Sequence, residues 1–185
     1  MPDKKAIYYE LLILRCSRGH KEALEELVSN WEKRLFYYIR RLVEDEPEAF
    51  SILQEVWLKV FQNINKVREP EKLPLWLYSL TRKTVISHLR KKYSQKEFLE
   101  QEKFNSIHED SDSQCSFDNV EQVHYGLGRI SLPQRDILTL FFLQDLSLEE
   151  IAETLQVPKG TVKSRLYYAK RALKNVLEKE ARQNE

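Results

Sequence analysis

The chain has 185 residues, 42% hydrophobic and 32% charged, which is enough apolar material for one or two small cores and too much for disorder throughout. Its 30 Lys and Arg against 29 Asp and Glu leave a net charge of +1, so the overall balance points to no charged partner. Four glycines assemble no GxxxxGK or GxGxxG loop, two distant cysteines make no disulfide scaffold, and no apolar run approaches the ~20 residues that span a bilayer. The expectation is a cytoplasmic protein with no membrane insertion.

Apolar residues recur at intervals of three and four with no clean period-two run, so the expected fold class is all-α. A first helix is expected over residues 5–17, ended by Gly19. A second, over 21–43, lines up Leu24, Leu27, Val28, Trp31, Leu35, Tyr38 and Leu42. Pro47 suits the first turn of a third, whose inward stripe would be Phe50, Leu53, Val56, Trp57, Val60 and Ile64. A fourth runs over 74–93, with Trp76, Leu77, Leu80 and Leu89 facing inward. Its basic block, residues 82–92, holds Arg82, Lys83, Arg90, Lys91 and Lys92 without an acid, a local +5.

The next stretch inverts the charge. Residues 97–118 carry seven acids against Lys103, a net −6, among Ser, Asn and Gln and without sustained periodicity. This composition is that of a linker, and it divides the chain into a first helical domain (1–95), an acidic tether (96–120) and a second helical domain (121–185). The tether serves as a soluble spacer, or as a polyanionic strap that folds back over the cationic modules.

In the second domain, Ser131 and Gln134 form a capping-box pattern that opens a helix containing Ile137, Leu138, Phe141 and Phe142. Ser147 and Glu150 form another, opening a two-turn helix with Leu148, Ile151, Ala152 and Leu155 on its inner side. After a break at 156–160, a helix over 158–180 buries Val162, Leu166, Ala169 and Leu173, and residues 156–177 sum to +6. Two helices joined by a short turn, the second basic, make a helix-turn-helix. A B-DNA major groove admits one α-helix, whose N-terminal turns reach the base edges. Those turns carry Lys159, Thr161, Lys163, Ser164, Arg165, Tyr167 and Tyr168: charge for phosphates, hydroxyl donors, and apolar surface for thymine methyls.

Residues 147–166, SLEEIAETLQVPKGTVKSRL, resemble region 4 of bacterial RNA polymerase sigma factors of the extracytoplasmic-function (ECF) class. Residues 18–35 (RGHKEALEELVSNWEKRL), 53–61 (LQEVWLKVF), 76–82 (WLYSLTR) and 88–91 (HLRK) resemble region 2 in matching order. The resemblance implies an initiation subunit that binds core RNA polymerase, reads the minus-35 element as duplex and holds the melted minus-10 element as single strand, with an anti-sigma factor as inhibitor. It implies polymerase docking through Gln54, Glu55 and Lys59. For the minus-10 strand, Tyr78, Arg82, Lys83, Arg90 and Lys91 fit the need for a basic track with aromatic faces. Trp76 and Tyr93 are further stacking candidates, although Trp76 lies on an apolar stripe, where a Trp more often belongs in the core. Ser51 stands where the family has an acid before the Gln-Glu pair, Lys83 and Ser87 replace a common Asn and Asp, and Tyr168 replaces a common Arg, so no promoter sequence carries over.

Two other functional classes make demands that the sequence does not meet. A helix-turn-helix regulator that acts on duplex DNA without joining the polymerase needs a ligand-pocket signature or a strand-containing receiver domain beside it, and neither occurs. An enzyme needs a nucleophile, base or metal set, and none assembles. Cys16 and His20 are half a metal site with no completing pair, and His88, His108 and His124 have no partners in sequence. No cofactor or metal is expected.

Overall fold

The computed structural model describes residues 4–93, 120–144 and 146–181; the tether, apart from Val120, lies outside the described residues, as do His108 and Cys115. The described residues are helical and contain no strand. The chain divides into two compact units, Met1–Leu89 and Arg90–Glu185, with the division falling in the last turns of one helix.

The first unit holds α1 (Lys4–Ser17), α2 (Lys21–Leu42), α3 (Glu46–Asn63) and, up to Leu89, α4 (Leu73–Lys92), with two 3-10 turns between α3 and α4. Gly19, at φ +76°, ends α1, with the His20 N–H donating to the Arg15 carbonyl at 3.1 Å. The Asp45 carboxylate caps α3 by accepting the Glu48 N–H at 2.8 Å. Leu27, Leu35, Tyr38, Ile39, Ile52, Leu73 and Leu77 are fully buried and form the centre of the bundle. Tyr8 ties α1 to α2: its hydroxyl donates to Glu26 Oε1 at 2.6 Å and accepts from Asn30 Nδ2 at 3.0 Å. Partial burial and the Glu26 carboxylate push its pKa up to about 12.

The second unit consists of α5 (Val120–Gly128), α6 (Leu132–Leu138, continuing as a π-helical turn over Thr139–Leu143), α7 (Leu148–Leu155) and α8 (Lys159–Ala181). Helices α5, α6 and α7 all pack on α8, whose inner side chains Val162, Leu166, Ala169 and Leu173 are buried. Helix α5 was not expected. Gly126 and Gly128 disguise it as loop, yet Val120, Val123 and Leu127 keep helical spacing. Gly126 is there for closeness of approach, since a Cβ built on it would lie 2.6 Å from Leu173 Cδ1. Arg135 on α6 closes the unit by donating to the Gly128 carbonyl at 2.9 Å.

Candidate nucleic-acid and polymerase interface

The turn between α7 and α8 is built by local chemistry. Ser147 Oγ accepts the Glu150 N–H at 3.2 Å, and Glu150 Oε2 accepts the Ser147 N–H at 2.8 Å, so the expected capping box forms. Gln156 then takes a left-handed conformation (φ 56°, ψ 44°), and the Val157 N–H reaches back to the Ala152 carbonyl at 3.1 Å. Pro158 and Lys159 can therefore start a new helix at once, with the Val162 N–H bonded to the Pro158 carbonyl at 3.1 Å.

The face of α8 opposite its buried stripe carries Ser164, Tyr167, Tyr168 and Arg171, with Lys163 and Lys174 along one flank and Thr161 and Arg165 along the other. Lys163, Ser164, Arg171 and Lys174 are exposed, while Thr161, Arg165, Tyr167 and Tyr168 are partly so. The two tyrosine rings meet edge to face with centroids 5.3 Å apart, which stiffens both. Lys159 behaves differently: its ammonium pairs with Glu149 on α7, clamping the two helices of the motif together. Hydrogen bonding from Lys159 holds the Glu149 carboxyl below its ordinary pKa. Arg171, at i+7 from Ser164 and so directly below it, extends this surface beyond the first turns of the helix.

In the first unit, the basic residues of α4 do not all share one side. Lys83 and Arg90 are exposed and separated by seven residues, so they align, and Lys91 lies beside them; Arg82 is turned aside and partly buried. Tyr78 is not a stacking face. It is only 2% exposed, held edge-on by Trp31 (5.9 Å) and Tyr38 (5.8 Å) in the core. Trp76, expected in the core, is instead partly exposed seven residues before Lys83, on the same line. Trp76, Lys83 and Arg90 thus mark a track of about 21 Å along one helix face. His88 also has a partner: its Nε2 lies 2.8 Å from Glu48 Oε1 on α3.

On α3, Gln54 is exposed at the middle of the outer face. Glu55 and Lys59 sit to one side, paired at 2.6 Å, and Lys59 Nζ also donates to Thr84 Oγ1 on α4 at 3.2 Å. Flanking Gln54 are Phe50, Phe61 and Leu58, all exposed, the last by 62%. Phe50 is therefore not part of the inward stripe; it stacks on Phe36 at 4.3 Å and leaves its other face open. Beneath Phe61 the Trp57 Nε1–H is buried without a hydrogen-bond partner among the described residues. The outer face of α3 thus mixes exposed apolar side chains, Phe50, Leu58 and Phe61, with the exposed polar side chains of Ser51, Gln54 and Gln62.

The family model described as "Sigma-70 region 2" matches residues 27–95, and that described as "Sigma-70, region 4" matches residues 121–173. RNA polymerase sigma-H factor of Pseudomonas aeruginosa is 30% identical over 178 residues, covering 90% of this chain and 92% of the relative. The ECF RNA polymerase sigma factor SigW of Bacillus subtilis is 26% identical over 176 residues, covering 89% and 94%.

The chain belongs to the ECF class of RNA polymerase sigma factors.

The fold of this sigma factor agrees with solved structures. The sigma factor RpoE of Bartonella quintana, in complex with the anti-sigma factor NepR, superposes with a TM-score of 0.65 at 20% identity, covering 83% of this chain and 96% of that one. CnrH, in complex with the cytosolic domain of CnrY, gives 0.67 at 16% identity, covering 91% and 96%. The region 2 match begins in the first unit and ends just past it, and the region 4 match lies within the second. Among the described residues no group of three or more His, Cys, Asp or Glu side chains could hold a metal ion, and no helix is long and apolar enough to cross a membrane.

Proposed function

We propose that this sigma factor joins core RNA polymerase through the outer face of α3, reads a minus-35 duplex with the outer face of α8, and holds the melted minus-10 strand along α4. Residues 1–95 serve the docking and minus-10 roles, 121–185 the minus-35 role, and 96–120 tether the two. The protein works in the cytoplasm with its polymerase and performs no catalytic step of its own. An anti-sigma factor is the fitting inhibitor, since the structural relative RpoE is a sigma factor in complex with one.

The observation that carries the reading is the outer face of α8. Ser164, Tyr167, Tyr168 and Arg171 form a continuous polar surface, and Lys163 and Lys174 flank it at phosphate-reaching positions. A lone helix of this kind gives little affinity at physiological salt, so duplex reading is effective only when the polymerase is bound as well. Docking through α3 supplies that second attachment: Phe50, Leu58 and Phe61 contribute apolar area, Gln54 sets register, and the Glu55–Lys59 pair fixes the rim. On α4, Lys83, Arg90 and Lys91 follow the strand's phosphates while Trp76 offers a face to an unstacked base.

The test is Lys163→Ala combined with Ser164→Ala. Initiation at a promoter that depends on its minus-35 element should fall at least tenfold, with core binding unchanged. Equal loss of core binding would refute the role given to α8.

A further inference from the structure

Helix α1 belongs to none of these surfaces and still shows an apolar face to solvent. Its inner side is occupied, with Tyr9, Leu12, Ile13 and Cys16 buried. On the opposite side Ile7, Leu11 and Leu14 are between 45% and 54% exposed and stand at i, i+4 and i+7, a stripe about 10 Å long. Single exposed aliphatics need no explanation, but three in line do. The helix is not free to turn and hide them, because Tyr8 is bonded to Glu26 and Asn30, Arg15 pairs with Glu26 at 3.6 Å, and Gly19 fixes its end.

Charge defines what fits the stripe. Residues 4–20 hold Lys4, Lys5, Arg15 and Arg18 against Glu10 alone, a local +3 in a chain whose total is +1. Lys4 and Arg18 are exposed and continue the line of Ile7, Leu11 and Leu14, one at each end; Glu26 of α2 is engaged by Tyr8 and Arg15 on the inner edge. We infer that this face is a docking site for an acidic amphipathic helix of a partner protein, with aliphatic residues at matching spacing and carboxylates that meet Lys4 and Arg18.

Two other occupants fit poorly. In a second copy of this chain, antiparallel packing sets Lys4 against Arg18, and parallel packing sets each against itself, so like charges meet either way. A lipid surface takes helices whose whole apolar face is available, whereas the larger apolar face of α1 is already spent in the bundle.

The probe is a fluorescent helical peptide with Leu at i, i+4 and i+7 and Glu at the flanks, titrated with the full chain, beside a twin carrying Lys for Glu. The Glu peptide should bind and the Lys peptide should not. Leu11→Ser with Leu14→Ser should weaken binding at least tenfold without changing the unfolding midpoint, since both side chains are exposed. Lys4→Glu with Arg18→Glu should reverse the preference in favour of the Lys peptide. Equal binding of the two peptides, or a Glu-peptide affinity indifferent to both double variants, would overturn the inference. It would also be overturned if Leu11→Ser with Leu14→Ser abolished self-association in sedimentation, or binding to phosphatidylglycerol vesicles, while leaving the peptide unaffected. The experiment uses neither DNA nor polymerase, so its outcome is separate from that of the promoter reading.

Discussion

Trp76 and Tyr78 stand two residues apart on α4 and have opposite work to do. Tyr78 is 2% exposed and meets both Trp31 and Tyr38 edge-on, so Tyr78→Ala removes a packed ring from the core and leaves a cavity. Aromatic-to-alanine changes in cores cost about 3–5 kcal/mol. With a urea slope of about 1.5–2 kcal/mol/M for a small unit, the midpoint should drop by roughly 2 M. Trp76 is partly exposed, and its loss should shift the midpoint by no more than about 0.5 M. The three tryptophans, Trp31, Trp57 and Trp76, all precede residue 90, so fluorescence follows the first unit alone, and two reporters remain in Trp76→Ala. In reconstituted initiation the order reverses. Loss of one base-stacking face costs about 1–3 kcal/mol, so Trp76→Ala should reduce promoter opening, read by permanganate reactivity, about 5- to 150-fold while closed complexes form normally. If Tyr78→Ala left the urea midpoint within 0.5 M of the parent and selectively abolished opening, the assignment of the two rings would be refuted.

Further outcomes follow from the same surfaces. Leu58→Asp places a charge in the apolar centre of the α3 face and should weaken core binding at least tenfold with an unchanged thermal midpoint, measured by fluorescence titration; unaltered affinity would remove α3 from the docking role. Glu149→Gln releases Lys159 for a phosphate, and the slope of log K against log salt for promoter duplex should steepen by about 0.9. Because the Glu149 pKa is lowered in the folded state, the Glu149–Lys159 clamp is complete above the ordinary carboxylate range and is lost as pH falls through the lowered value; Glu149→Gln should remove that part of the acid dependence of unfolding. Gln156→Gly relieves the left-handed strain at the turn and should stabilise the second unit by up to about 1 kcal/mol, read by calorimetry; a loss of stability would show that the Gln156 side chain contributes more than its strain costs.

The parts of the molecule governed by local rules were legible from sequence. The Ser147–Glu150 box, the end of α1 at Gly19 and the buried stripe of α8 each depend on residues within a few positions of one another. What the sequence concealed depends on which neighbour arrives from afar. Phe50 and Leu53 lie on the same helix and are equally apolar, yet only Leu53 meets the core, because α2 leaves Phe50 a single Phe36 ring to rest on. Tyr78 is buried and Trp76 partly exposed for the same reason: Trp31 and Tyr38, some forty residues upstream, meet the ring of Tyr78. Lys159 looked like a phosphate contact because its partner, Glu149, lies ten positions away across a turn that changes the chain's direction. Helix α5 was hidden by Gly126, whose missing side chain is explained by Leu173 and Leu177 on another helix.

The central claim for this chain is that it directs core RNA polymerase to start sites. Run-off transcription from a genomic fragment library, with purified core alone and with core plus this protein, tests that claim directly. Addition of the chain should produce transcripts with discrete 5′ ends that share upstream sequence elements, and these should be absent with core alone. Stable association with core and an unchanged pattern of start sites would contradict it.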